Sequence, residues 1–398
     1  MPEPCGVPLV NSEERREARR ARREAERAAK RASRIDGCTM EQIADLNTLY
    51  KSARSAARGV SWKASTQRYM KDVLRNTNKT RHQLMNGEDV RCGFYHFDLW
   101  ERGKLRHISS VHFSERVPQK ALTQVALVPA LGPTLIADNS ANLEGRGTSY
   151  AIARMKRQLA EHYRRHGTEG WILQVDFENY FGSIKHAEAK ALVAGAVDDP
   201  RVAALSDSFV DAQRGNLNNS DDEDGLGLGS EPNQILAVSL PNRIDHHVTE
   251  CCDVEAYGRY MDDSYAISTD KDRLWGVLSE IEWIADELGI TINRKKTKIT
   301  KLTHGFVFLK KKFSYGENGR IVVRPCRDAI TRERRKLKKL AGMWQRGEIE
   351  LEAIEQHYQS WRGGMLKLDA HRTAMRMDAL YRDLFNPESR SGGGRSLT

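Results

Sequence analysis

The feature that most constrains this chain is a mostly apolar run that stops on an acid. Trp171-Ile172-Leu173-Gln174-Val175 reads as a buried strand, and Asp176 ends it with a carboxylate directed out of the core. Further along, Tyr260-Met261-Asp262-Asp263 lies between two short strand-like runs, which places adjacent acids at a hairpin turn. An acid pair in a turn is by itself usually no more than a solvated turn. Combined with an acid closing a central strand, it meets the requirement of two-metal phosphoryl transfer. That chemistry needs carboxylates on rigid elements, placed so that two ions about 4 Å apart clamp the attacking and leaving oxygens.

The pattern around these acids predicts their setting. DDEDGLGLGSEPNQILAVSL runs from an acidic, Gly-rich loop into a helix, and EAYGRYMDDSYAIS alternates as a hairpin does. Strand, helix and hairpin in that order predict a small α+β sheet domain. Upstream, residues 40 to 90 read as mainly helical, with Ile43, Leu46, Leu49 and Tyr50 at helical spacing. CGFYHFDLW and LRHISSVHF read as a hairpin joined by Glu101-Arg102-Gly103. A polar loop then leads into an amphipathic helix ending near Gly167. The C-terminal part reads as a helix ending near Leu288-Gly289, a basic segment, and a helical tail over about 328 to 386.

Charge points to a polyanionic partner. The chain has 398 residues, with 64 Lys and Arg against 54 acids and a formal net charge of +10. Residues 11 to 34 hold ten Lys or Arg, five Glu and many Ala, with Asn11 or Ser12 as an N-cap. They predict a helix with almost no large apolar residue, either a solvated arm or one that touches RNA. Nine Lys or Arg against two acids lie between Arg324 and Gly347, at helical spacing with Leu337, Leu340 and Trp344. Such a helix packs its apolar face and tracks phosphates with its basic one. Residues 294 to 312 add eight more Lys or Arg and no acid.

The six cysteines (Cys5, Cys38, Cys92, Cys251, Cys252 and Cys326) form no CxxC pair and have no His at zinc-ligand spacing, so free thiols in a reducing cytosol are expected. No apolar stretch reaches the roughly 18 residues of a membrane span, and the N-terminus lacks signal-peptide character, so no membrane partner and a cytoplasmic location are expected.

On these residues the chain resembles the reverse transcriptase family, and within it the compact bacterial enzymes. YMDD matches the family's Tyr-x-Asp-Asp motif, and VDFENYFGSI matches the motif supplying its first catalytic aspartate. In family order, ERGKLRHI resembles the fingers segment, GLGLGSEPNQILA the loop and helix beneath template and incoming base, and RKKTKI with GFVFLK the next two palm motifs. TRERRKLKKL through SWRGG to LYRDLF resembles a helical thumb. The resemblance covers about residues 92 to 386 and implies an α+β right-hand polymerase with fingers, palm and helical thumb. The boundaries that follow are a basic helical arm (1–36), fingers (37–165), palm (166–315), thumb (316–386) and a disordered tail (387–398).

Carried over residue by residue, the resemblance makes Asp176, Asp262 and Asp263 the ligands of two Mg2+ ions, for which Mn2+ can substitute, with the Phe177 carbonyl beside the second ion. Lys104 and Arg106 would hold the nucleotide triphosphate. Phe181 would be the aromatic gate that crowds a ribose 2′-hydroxyl, and Gly229 would allow close backbone approach to template or nucleotide. Lys296 would protonate the pyrophosphate leaving group or contact a phosphate, and Arg334, Arg335, Lys338 and Lys339 would grip the duplex. One departure stands out. Where many relatives have Pro-Gln-Gly, this chain has Gly227-Leu228-Gly229, and Leu228 cannot offer the amide contact of Gln to nucleotide or template, which puts normal fidelity in doubt.

The expected activity is RNA-directed DNA synthesis from a primer hydroxyl, an RNA template and deoxynucleoside triphosphates. The template is expected to be a noncoding RNA, and oligomer formation is left open. Only a dozen residues follow the thumb-like helices, without room for maturase or endonuclease additions, which directs the biological expectation to phage defence. The alternatives are a diversity-generating enzyme, an inactive RNA-binding scaffold, and an RNA-dependent RNA polymerase, which more typically carries Gly-Asp-Asp at the turn.

Overall fold

A computed structural model describes residues 12–101, 104–212, 225–227 and 229–386. Cys5, Asn11, Arg102, Gly103, the acidic run 221–224, Leu228, the tail 387–398 and the side chains of Lys104 and Arg106 lie outside the described residues. The chain divides into two compact units. One comprises Met1–Gly147, Phe177–Cys252 and Glu280–Asn293, the other Thr148–Asp176, Asp253–Ser279 and Arg294–Thr398.

The first unit is mainly helical. Its opening helix, Ser12–Ile35, forms because Ala, Arg and Glu are strong helix formers, and it carries the exposed ion pairs Arg20–Glu24 and Arg22–Glu26 at 3.1 and 3.0 Å. Its C-terminal end is anchored, where Ile35 is buried and Arg31 donates to the Gly195 carbonyl. Four helices follow: Met40–Ile43, Leu46–Ala56, Ala64–Lys71 and Val73–Met85. Ile43 and Leu49 are fully buried, as their spacing predicts. Leu46 is not: it opens its helix directly after the Asp45 N-cap and is 38% exposed.

The expected hairpin is present. Strands β1 (Phe94–Glu101) and β2 (Lys104–Val111) pair antiparallel from Phe94↔Val111 to Glu101↔Lys104. Phe113, read from sequence as the end of the second strand, instead starts the helix Phe113–Leu122. Tyr95, Phe97, Leu99, Trp100 and Leu105 are exposed, so neither face of this ribbon packs as a core. The helix Glu231–Ser239 carries Pro at its start, where a missing N–H is harmless, and buries Ile235, Leu236, Ala237 and Val238.

The second unit holds the two larger sheets. Strands β3 (Trp171–Asp176), β4 (Ala256–Tyr260), β5 (Asp263–Ser268) and β6 (Lys298–Lys301) form an antiparallel sheet in the order β4-β5-β3-β6. Ile172 and Leu173 are adjacent on β3 and so point to opposite faces, and both are buried along with Val175, so both faces of this strand are covered. A second sheet, β7 (Phe306–Phe308), β8 (Lys311–Tyr315) and β9 (Ile321–Pro325), shares its core with the first and with the helix Thr148–His166. Phe306 and Phe313 stack there, ring centroids 5.5 Å apart. The helices Arg327–Gln345, Leu351–Leu366 and His371–Phe385 have a separate core of Leu337, Ala341, Trp344, Ile354, Tyr358, Met377 and Phe385.

Because Phe313 on β8 is fully buried in the core that the second sheet shares with the first, Phe313→Ala is expected to destabilise the fold by about 3–5 kcal/mol. Urea denaturation followed by intrinsic fluorescence checks this; a midpoint within error of the parent chain would contradict the packing described.

Candidate active site

Pairing in the first sheet brings the acids together. β3 and β5 run antiparallel with Asp176 directly opposite Asp263, so the acid ending one strand faces the acid starting the other. Asp262 precedes Asp263 in the two-residue loop Met261-Asp262 that joins β4 to β5. Like charges directly opposed across a sheet are destabilising. This cluster is therefore a local conflict of the kind that functional sites retain.

The loop itself is strained. Met261 has φ +57°, a region that favours glycine. Behind it, Arg259 on β4 is 1% exposed and donates from Nη1 to the Met261 carbonyl at 2.9 Å. A further brace lies deeper in the hairpin. Gly258 leaves room for Tyr265, whose hydroxyl a Cβ would meet at 2.6 Å. That hydroxyl donates to Gln158 Oε1 at 2.6 Å, and Gln158 Nε2 donates to the Tyr257 carbonyl at 3.0 Å. The hairpin is thus tied to the helix Thr148–His166 through buried hydrogen bonds, which hold a charged turn in one place.

Electrostatics follow from this geometry. Burial first, then the charges of Asp262 and Asp176, push Asp263 up to about 7. Asp262 is also raised, by burial foremost and then by Asp176. Lys296 supplies the counter-charge, its Nζ donating to both Asp176 oxygens at 2.7 and 3.0 Å, and this bond raises its own pKa. The Asp176 backbone N–H is 3.4 Å from Thr297 Oγ1. A cavity of about 400 Å³ adjoins Asp176 and Asp263, and Lys295, Lys296, Lys298 and Lys310 line it.

Three carboxylates drawn together at one end of the sheet, two of them with raised pKa, fit divalent cations. The donor set is all oxygen, which suits hard ions such as Mg2+ or Mn2+, and a bound cation relieves the repulsion that burial intensifies. Asp176, Asp262 and Asp263 are the residues that could hold such ions.

The other predicted residues fall elsewhere. Phe177 follows Asp176 along the chain, is buried, pairs with Ile292 and packs its ring 5.2 Å from Tyr180. Phe181, half-buried in the short helix Tyr180–Ser183, has its carbonyl accepting from the Leu226 N–H at 2.6 Å. Gly229 has φ +126°, and a Cβ there would come within 3.2 Å of the Ser109 carbonyl on β2. Phe177, Phe181, Gly229 and strand β2, with Lys104 and Arg106, belong to the first unit, whereas the acids and Lys296 belong to the second. Arg334, Arg335, Lys338 and Lys339 are all exposed on the helix Arg327–Gln345, Arg335 and Lys339 opposite its buried Leu337 and Ala341 and Arg334 and Lys338 on the flank.

With the geometry in hand, comparison with known proteins is informative. The family model described as reverse transcriptase (RNA-dependent DNA polymerase) matches residues 98–315, more than half of the chain. The chain belongs to the reverse transcriptase family. The match runs from hairpin β1–β2 to strand β8 and includes all three acids. As a family member the chain has the α+β polymerase fold, and the family as a whole works with divalent metal ions. No curated protein sequence matches it. Solved structures similar to it include apo telomerase from Candida tropicalis, truncated from its C-terminal domain, at 13% identity and a TM-score of 0.43, covering 58% of this chain and 55% of that one. Another is telomerase from Candida albicans in complex with a fragment of telomeric RNA, at 12% identity and a TM-score of 0.47, covering 75% and 56%. The chain thus spans little more than half the length of either telomerase.

Sequence reasoning missed Arg259 and the exposed aromatic ribbon. The signal for Arg259 was a lone arginine inside a strand that otherwise buries its residues. For the ribbon it was the density of large rings in FYHFDLW with no polar alternation to mark a single buried face.

Removing the donor behind the turn tests its role. Arg259→Met preserves volume but leaves the Met261 carbonyl without its charged partner, a bond of the class worth about 1.5–3 kcal/mol. Nucleotide incorporation per bound primer-template is expected to fall at least about tenfold, with template affinity little changed and Arg259→Lys retaining more activity. Full activity in a folded Arg259→Met protein would remove Arg259 from the site's support.

Proposed function

We propose that this chain is an RNA-directed DNA polymerase of the compact bacterial kind, and that Asp176, Asp262 and Asp263 hold two Mg2+ ions, with Mn2+ able to replace them. The observation that carries this reading is the opposition of Asp176 and Asp263 across β3 and β5, with Asp262 beside them on a braced turn. Asp176, Asp262 and Asp263 would hold the ions, which would supply Lewis acidity toward a primer hydroxyl and a leaving pyrophosphate. The chain's own residues do the positioning. β3 and the β4–β5 hairpin fix the carboxylates, and the hydrogen bonds of Tyr265 and Gln158 keep the hairpin from yielding to their repulsion.

Lys296 and the lysines lining the neighbouring cavity offer positive charge to a triphosphate. Lys104, Arg106, Leu228 and Gly229 complete the proposed nucleotide site, with the Phe177 carbonyl beside the second ion. Arg334, Arg335, Lys338 and Lys339 present the charge that would follow a duplex backbone without reading its sequence. The exposed rings of β1 add surfaces on which bases stack. The proposed partners are an RNA template, a DNA primer or product, and deoxynucleoside triphosphates. For the biological setting we favour antiphage defence over a diversity-generating element. Sequencing the nucleic acid that copurifies with the protein separates the two.

Asp262→Asn with Asp263→Asn tests the chemistry. Amides keep the side-chain shape but remove the charge that holds cations, so DNA synthesis should vanish while RNA binding persists. Undiminished primer extension by the purified double variant would defeat the assignment. A second expectation concerns sugar selection. Phe181→Ala should open the space of a ribose 2′-hydroxyl and admit ribonucleotides; an active variant with unchanged preference for deoxynucleotides would show that the gate lies elsewhere.

A further inference from the structure

Among the described residues, His247, Cys252 and Glu280 offer one ligand atom each within 4.8 Å of one another. All three belong to the helical unit, apart from the carboxylates of the sheet. His247 lies in the last turns of the helix Asn242–Cys251, Cys252 caps that helix, and Glu280 projects from the helix Lys271–Glu287. Glu280 Oε2 is the common acceptor: it takes a short hydrogen bond from His247 Nε2 and one of 3.3 Å from Cys252 Sγ. Cys252 also lies 3.7 Å from the His247 carbonyl.

We propose that these three side chains form a binding site for a thiophilic divalent cation, Zn2+ in chemical class, with water as a fourth ligand. Zinc–sulfur and zinc–oxygen bonds of about 2.3 and 2.0 Å put the S···O edge of a tetrahedron at about 3.5 Å. The observed 3.3 Å separation therefore needs only a small adjustment. Burial is graded in the way a three-ligand site requires. Cys252 is 9% exposed, His247 is half-buried and Glu280 faces solvent, so the open corner lies toward water.

The donor set also separates this site from the acids on β3 and β5. Thiolate and imidazole select a softer ion, and the all-oxygen cluster suits Mg2+. On binding, Cys252 gives its thiol proton to solvent and coordinates as thiolate, while His247 coordinates through Nε2 with its remaining proton on Nδ1. The ion then replaces two hydrogen bonds with three bonds to metal and fastens the helix Asn242–Cys251 to the helix Lys271–Glu287.

The test uses the full chain, stripped of metal with EDTA and titrated with Co2+ in excess Mg2+. One equivalent should bind, giving the near-ultraviolet absorption of a thiolate–cobalt bond and the visible bands of a four-coordinate ion, and Zn2+ should bleach both. Cys252→Ser should lose the thiolate absorption, and Cys251→Ser should keep it. His247→Gln and Glu280→Gln should each weaken Co2+ binding at least about tenfold, since even groups behind metal ligands change affinity that much. Glu280 is exposed, so its variant is expected to fold, and far-ultraviolet circular dichroism confirms that. Absence of the thiolate band in the folded parent chain would overturn the proposal and leave a hydrogen-bonded trio. So would a band that survives Cys252→Ser, or one that depends on Cys251.

Discussion

Repulsion among three carboxylates is the constraint around which the sheet unit is organised. Asp176 and Asp263 face each other across two strands and Asp262 sits beside them, an arrangement that local charge rules oppose. It persists because the surrounding structure leaves the acids nowhere else to go. β3 is fixed by neighbours on both sides, and the β4–β5 turn is held from behind by a buried arginine and from below by the Tyr265–Gln158 hydrogen bonds. Part of the folding free energy is thus spent on keeping apart from solvent, and close together, charges that would otherwise separate. A divalent cation held by the three acids would recover that energy, as a preorganised site does without rearrangement.

Much of this was legible in the sequence, for physical reasons that differ by element. β3 could be read because a strand covered on both faces is apolar on both, and Asp176 marked where that burial ends. The β4–β5 hairpin could be read because its turn interrupts two short apolar runs. The helices of the thumb-like segment were visible because Leu337 and Trp344 recur at helical spacing among lysines and arginines. Leu46 is helical, as its spacing predicts, but opens its helix directly after the N-cap, where its side chain stays 38% exposed. Phe113 misled because a β-prone aromatic at the end of a strand also suits the first turn of a following helix.

What the sequence could not supply is convergence from distant segments. Arg259 looks like one more basic residue until the strand places it beneath the Met261 carbonyl. His247 and Cys252 show no zinc-like spacing with any other Cys or His, because their third partner is a glutamate on another helix. Lys296 reads as part of a basic run, yet in the folded chain it donates to both oxygens of Asp176.

The balance of charge explains how such a site can serve two kinds of partner. Net charge is +10, yet the acids form a compact negative centre with lysines lining the adjoining cavity. Small cations are drawn to the carboxylates over short range. Phosphates are drawn to the lysines and to the exposed basic face of the helix Arg327–Gln345, attraction that reaches about a Debye length at ordinary salt. If the cavity were acidic throughout, it would bind metal and repel a triphosphate; if basic throughout, it would hold phosphate with no metal to act on it. Placing Lys296 in direct contact with Asp176 sets the boundary between the two fields at the carboxylate cluster itself.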